Sequence, residues 1–114
     1  NTPLQALVTM NEPIFIESSR QLAAQVLRET KATGARLDAI SLRLLGRKFA
    51  WTERRVLQRT LDAALGTYRR DPAAAAQLIA SGESPADTKL APAELAAWTL
   101  VASQVMNLDE SLTK

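Results

Sequence analysis

A chain of 114 residues with 46% apolar content is long enough and apolar enough to form one domain around a real core. It contains no cysteine and no histidine. That removes disulfides, thiolate metal sites, a Cys nucleophile, haem attachment through a Cys-x-x-Cys-His run, the usual neutral-pH general base and the commonest metal ligand. The net charge of +2 is unevenly placed: residues 1–59 carry ten Lys/Arg against five Asp/Glu, residues 60–114 carry four against seven, and the excess is densest from Arg36 to Arg59.

Ala, Leu, Gln, Glu and Arg dominate, and these lose little side-chain freedom in a helix. Two Phe, one Tyr and two Trp leave few strand formers. Thr2-Pro3-Leu4-Gln5 has the pattern of a helix start, with Thr2 as cap, Pro3 at the first position and Gln5 three beyond the cap. That short helix is expected to end near Met10. Asn11 then caps a segment running to about Thr30, with Pro13 in its first turn and an apolar stripe of Phe15, Leu22, Ala23, Val26 and Leu27. Gly34 is expected to stop it.

The spacing next predicts a helix over 35–45, with Leu37, Ile40, Leu44 and Leu45 on one face and Gly46 at its end. After a connector, Thr52 is the expected cap of a helix reaching Arg69 or Arg70. Trp51 and Val56 are placed to form a hydrophobic staple at its start. Leu57, Leu61, Ala64, Leu65 and Tyr68 form its stripe, and the two terminal arginines suit the helix dipole. Asp71-Pro72 opens a short helix over 73–80, ended by Ser81-Gly82, and 82–91 reads as a loop. Pro92 opens the last helix. Leu95, Trp98, Ala102, Val105 and Met106 share a face, yet Ala96, Ala97, Leu100 and Val101 are apolar too, so this helix belongs at the centre. Asn107 is the expected exit, and 109–114 a polar tail.

These elements predict an all-α fold: a single helical domain over 1–114, a compact bundle of five to six helices with short connections. The last long helix is central, Trp98 is inside, and the arginines remain in water. No stretch approaches the ~18 continuous apolar residues of a membrane span.

Three segments carry a family resemblance: Asn1-Thr2-Pro3-Leu4-Gln5-Ala6-Leu7-Val8 with Asn11-Glu12-Pro13; Leu44-Leu45-Gly46-Arg47 followed by Thr52 and a helix; and Ala97 to Ser103 running into Met106-Asn107-Leu108-Asp109-Glu110. Together they resemble the C-terminal part of a domain of unknown function found in large exported proteins of planctomycetes and related bacteria, often beside cytochrome c-like segments. The resemblance implies an exported setting, periplasmic or cell-surface, and a protein extending upstream of Asn1. It brings no catalytic residue. Cytochrome-like neighbours would bind haem through their own Cys and His, so no cofactor is expected in this fragment.

Two groups of residues stand out. Asn1, Gln5 and Asn11 would contact an upstream domain, although helix capping accounts for polar residues at these places. Arg43, Arg47, Lys48, Arg54, Arg55 and Arg59 would form a basic surface for phosphate, an acidic polysaccharide or an acidic neighbouring domain, against the plainer reading of a solvated helical face. Arg43 and Arg47, four apart, are expected to share a side, as are Arg55 and Arg59. Asp38 and Glu53 are expected in ordinary ion pairs. Trp51 and Trp98 are candidates for stacking on sugar rings, with packing the stronger expectation for both. Asp109-Glu110 lacks a third partner for a metal. No catalytic and no metal-binding residue is assigned, and nucleic acid is disfavoured by the absence of a recognised motif.

The function expected from sequence is thus a non-catalytic structural or interaction module of a larger exported bacterial protein. Two alternatives stand beside it: the wall of an enzyme active site completed by upstream sequence, or an anion- or polysaccharide-binding module.

Overall fold

The computed structural model describes the backbone of residues 13–80, 87 and 89–113, and the side chains of 16–80, 87 and 89–107. Five helices occupy this span: α1 (Pro13–Glu29), α2 (Thr33–Leu45), α3 (Trp51–Arg70), α4 (Pro72–Ile79) and α5 (Pro92–Thr113). No strand occurs among the described residues, and the fold is an all-α bundle. The expected Thr2–Met10 helix, the Asn11 cap, the Phe15 side chain, most of the 82–91 loop and the Asp109-Glu110 side chains lie outside the described set.

The centre is α5. Leu95 to Ser103 are nine consecutive residues with at most 1% exposure, so every side of the helix is dry. It packs most extensively on α1, then on α3 and α4, and less on α2. Each neighbour contributes one apolar face. Ala23, Val26 and Leu27 come from α1, Leu37 and Ile40 from α2, Leu57, Leu61 and Ala64 from α3, and Ala75, Leu78 and Ile79 from α4. The expected exit at Asn107 is corrected: α5 continues to Thr113. Residues 107–113 contain no glycine or proline, so nothing in the chain breaks the helix there.

Helix ends follow local chemistry. Gly46 takes the left-handed conformation (φ 73°) and donates its N–H to the Leu42 carbonyl, closing α2 as expected. Asp71 serves two helices: its N–H bonds the Thr67 carbonyl to close α3, and its carboxylate accepts the Ala74 N–H at 3.2 Å to cap α4. Gly34 does not stop α1. It sits in the first turn of α2, where the Arg54 guanidinium lies so close that an added Cβ would be 2.7 Å from it. The start of α3 also differs from expectation. Ala50, extended at φ −62° and ψ 155°, precedes the first turn, and the Glu53 carboxylate accepts its N–H at 2.7 Å. Trp51 is therefore the first helical residue and forms no staple: Trp51 is 68% and Val56 51% exposed.

Two arginines are not in water. Arg20 is 2% exposed and falls on the apolar stripe of α1, four residues after Ile16 and three before Ala23. It donates to the Ile79 carbonyl at 2.6 Å and lies 3.7 Å from the Glu17 carboxylate. Ile79 ends α4, where a carbonyl has no partner in its own helix and the dipole is negative. Arg20 thus caps α4 from inside the bundle. Arg36 covers Trp98, its guanidinium 5.8 Å from the ring centroid, while donating to the Thr30 carbonyl at 2.8 Å and lying 3.7 Å from Glu94. Core polar groups are matched as well. Thr99 bonds the Leu95 carbonyl, Thr60 bonds Gln104, and no buried side-chain N or O among the described residues lacks a partner.

Trp98→Ala removes the largest fully buried side chain and is expected to cost about 3–5 kcal/mol, read as a fall in the urea midpoint. Arg20→Met keeps the length of the side chain but leaves the Ile79 carbonyl without its charged donor. Its expected cost is roughly 1.5–3 kcal/mol, together with faster amide exchange at the end of α4.

Candidate functional site

The six cations singled out in the sequence lie on α2, the turn after it and the first half of α3, but they do not form one surface of equal character. Three are neutralised. Arg43 is paired with Glu29 of α1 at 2.5 Å. Arg47 makes a two-pronged pair with Glu53, at 2.9 and 3.0 Å. Arg54 bonds Asp38 at 2.8 Å, lying over Gly34 as it does so. Asp38 and Glu53 are in the ion pairs expected of them. Arg43 and Arg47 do not act together: the helix ends at Gly46 between them, and each turns to a different carboxylate.

The other three, Lys48, Arg55 and Arg59, are exposed and have no carboxylate within salt-bridge distance among the described residues. Arg55 and Arg59 are one turn apart on the side of α3 away from buried Leu57 and Leu61. Arg55 lies over the exposed Trp51 ring, 5.7 Å from its centroid, in a cation–π contact. Trp51 therefore packs neither into the core nor against Val56, whereas Trp98 is core, at 1% exposure. Leu42 and Val56, each 51% exposed, complete the exposed large apolar residues of the described set, and all lie in the last turn of α2 or the first two turns of α3. Trp51 was legible as a residue bordering a turn; its exposure follows from the helix starting before Thr52.

Elsewhere, a shallow cleft of about 360 Å³ is lined by Tyr68, Arg69, Pro72, Ala91, Pro92, Ala93 and Glu94. Burial raises the Tyr68 pKa. The cleft brings together none of the residues singled out in the sequence. Asn1, Gln5 and Asn11 lie outside the described residues. No cluster of three or more potential metal-ligating residues occurs among the described ones, and no described helix is long and apolar enough to cross a membrane.

The Arg47–Glu53 pair has a measurable electrostatic signature. The Arg47 guanidinium and the Ala50 N–H hold the Glu53 carboxyl at about 2, against an ordinary 4.5. Because the folded value is depressed, the stabilisation is fully present above the unfolded value near 4.5 and is lost as pH falls toward about 2. The Tm gap between the native chain and Glu53→Gln is therefore expected to be constant above pH 4.5 and to close between 4.5 and 2 in thermal melts followed by circular dichroism.

Comparison with known proteins finds a family match over the half of the chain that carries these cations. The model of PSD1, a family of proteins of unknown function (DUF1553), matches residues 1–61, just over half of the chain. The match takes in the first two of the three resembling segments and all six cations, while the segment from Ala97 lies beyond it. No curated protein and no solved structure matches the chain. On the strength of that match, the chain belongs to the PSD1 family of proteins of unknown function.

Proposed function

We propose that this chain is a non-catalytic helical interaction module of a larger exported bacterial protein of the planctomycete type, and that it holds an acidic partner on the outer face of α3. The exported setting, the upstream chain and its cytochrome c-like neighbours rest on the resemblance of the Asn1–Pro13, Leu44–Arg47 and Ala97–Glu110 segments. Asn1, Gln5 and Asn11 are the residues proposed to meet upstream domains of the same chain.

The observation that carries the binding role is the division among the cations. Arg43, Arg47 and Arg54 are occupied by carboxylates and hold the helices in place. Lys48, Arg55 and Arg59 are not, and Arg55 lies over an indole left in water. Between Lys48 and Arg59 the sequence holds four cations and one carboxylate, and that carboxylate is engaged by Arg47. The remaining field attracts anions and steers them to this face.

Titration calorimetry with a panel of polyanions at low salt tests the reading. Binding is expected, with affinity falling steeply as salt is added. The double variant Arg55→Gln/Arg59→Gln is expected to lose at least about tenfold, the equivalent of ~1.4 kcal/mol. Arg43→Gln/Arg54→Gln is expected to change binding little, because those guanidiniums are already engaged. Indifference to every polyanion, or equal losses in the two double variants, overturns the proposal.

A further inference from the structure

We infer that the acidic partner is a carboxylated polysaccharide laid along α3, with a sugar ring stacked on Trp51 and its carboxylates taken by Arg55 and Arg59. This rests on the reading of the α3 face given above and narrows it to one class of ligand.

The shape of the face is the first argument. Trp51, Arg55 and Arg59 follow one another at four-residue intervals, so they form a stripe rising about 6 Å per step and about 12 Å in all. The stripe lies on the convex outside of a single helix. Among the described residues it offers neither a groove for an amphipathic helix nor a sheet edge for an extended peptide. A thin, linear polymer running along the helix suits such a surface.

The chemistry of the stripe is the second argument. An indole that is 68% exposed on the first turn of a helix contributes little to packing and keeps its apolar area available. Arg55 lies over the ring with its guanidinium 5.7 Å from the centroid. A stacked guanidinium keeps its N–H edge free for the paired oxygens of a carboxylate. The ligand that answers both is a flat, weakly polar ring bearing a carboxylate, repeated along a chain: a uronic acid polymer.

Charge density is the third argument. Three unpaired cations are few for a strand of nucleic acid, which carries a phosphate on every residue and is gripped by several stacking platforms rather than one. A polymer with one carboxylate per sugar asks for less. Gln58 bonds Asp62 at 3.1 Å next to Arg59, so a carboxylate borders the stripe and further lowers its appeal to a densely charged polyanion.

The two tryptophans make the test direct, because Trp98 is buried and only Trp51 can report on a ligand at the surface. The 114-residue chain is titrated with polygalacturonate, neutral dextran, poly-L-glutamate and poly-dT while indole emission is followed. Polygalacturonate is expected to bind and shift the emission to shorter wavelength. The Trp51→Phe variant, in which Trp98 is the sole indole, is expected to show no shift. Trp51→Ala, with an unchanged circular dichroism spectrum, is expected to bind polygalacturonate about tenfold more weakly, and dextran is expected not to bind. Poly-L-glutamate binding as tightly as polygalacturonate with no dependence on Trp51 overturns the sugar assignment and leaves the acidic-partner role standing. Poly-dT binding more tightly in a Trp51-dependent way replaces the polysaccharide with single-stranded nucleic acid. Silence with all four overturns both readings.

Discussion

Nothing in this bundle can be arranged without first satisfying α5. A helix that is dry from Leu95 to Ser103 has no side to offer to water, so it must be enclosed by other helices. Four helices do this, each turning an apolar face toward it. The sequence of α5 is matched to the task. Ala96, Ala97 and Ala102 let neighbouring helices come close, while Trp98 and Leu100 fill the space between them. Its two buried hydroxyl residues do not disrupt this; Thr99, for one, turns back to the Leu95 carbonyl of its own helix. With the apolar faces of α1 to α4 committed inward, whatever the domain presents to a partner comes from their outer faces.

The arginines show why a count of charges says little about a surface. Arg20 and Arg36 are part of the interior architecture. One closes the buried carbonyl end of α4, and the other roofs the buried indole of Trp98. A buried guanidinium is tolerable only where acceptors replace the lost water, and the Ile79 and Thr30 carbonyls do so. Arg43, Arg47 and Arg54 tie adjacent segments together across the surface, each through a carboxylate, in contacts that contribute modestly to stability. With these set aside, Lys31, Arg69, Arg70 and Lys89 have no carboxylate within salt-bridge distance among the described residues, and neither has the stretch of Lys48, Arg55 and Arg59 around the start and outer face of α3. That stretch also carries the exposed indole.

Periodicity and capping residues made most of the bundle readable. The stripe of α3, the Gly46 stop, the Asp71-Pro72 junction and the central place of α5 all follow from local chemistry that needs no knowledge of neighbours. Several failures concern contacts between segments distant in the chain, whereas the start of α3 and the run of α5 past Asn107 are local matters. Gly34 looks like a helix terminator until the Arg54 guanidinium is seen lying against it. Trp51 looks like half of a staple until Glu53 is seen holding the Ala50 N–H, which starts the helix earlier and turns the indole outward. Arg20 was detectable, since it occupies an apolar-stripe position between Ile16 and Ala23, but its partner is 59 residues away. The division of the six surface cations into occupied and free was legible only as far as Asp38 and Glu53 being expected in ion pairs; which cations they and Glu29 engage is set by the folded chain.

The family match ends at residue 61, within α3, yet packing does not end there. α1 packs most extensively on α5, and α3 packs chiefly on α5 too, yet α5 is wholly outside the match. Leu57 and Leu61 fall inside the matched span, while Ala64 and Tyr68 continue the same stripe beyond it. The buried stripe of α3 is continuous across residue 61, so the limit of the match is not a boundary between packed units. The free stripe from Lys48 to Arg59 stands on the matched half, but its geometry is set by a helix anchored along its other face to the unmatched half. The surface and the core that fixes it are thus drawn from different halves of the chain.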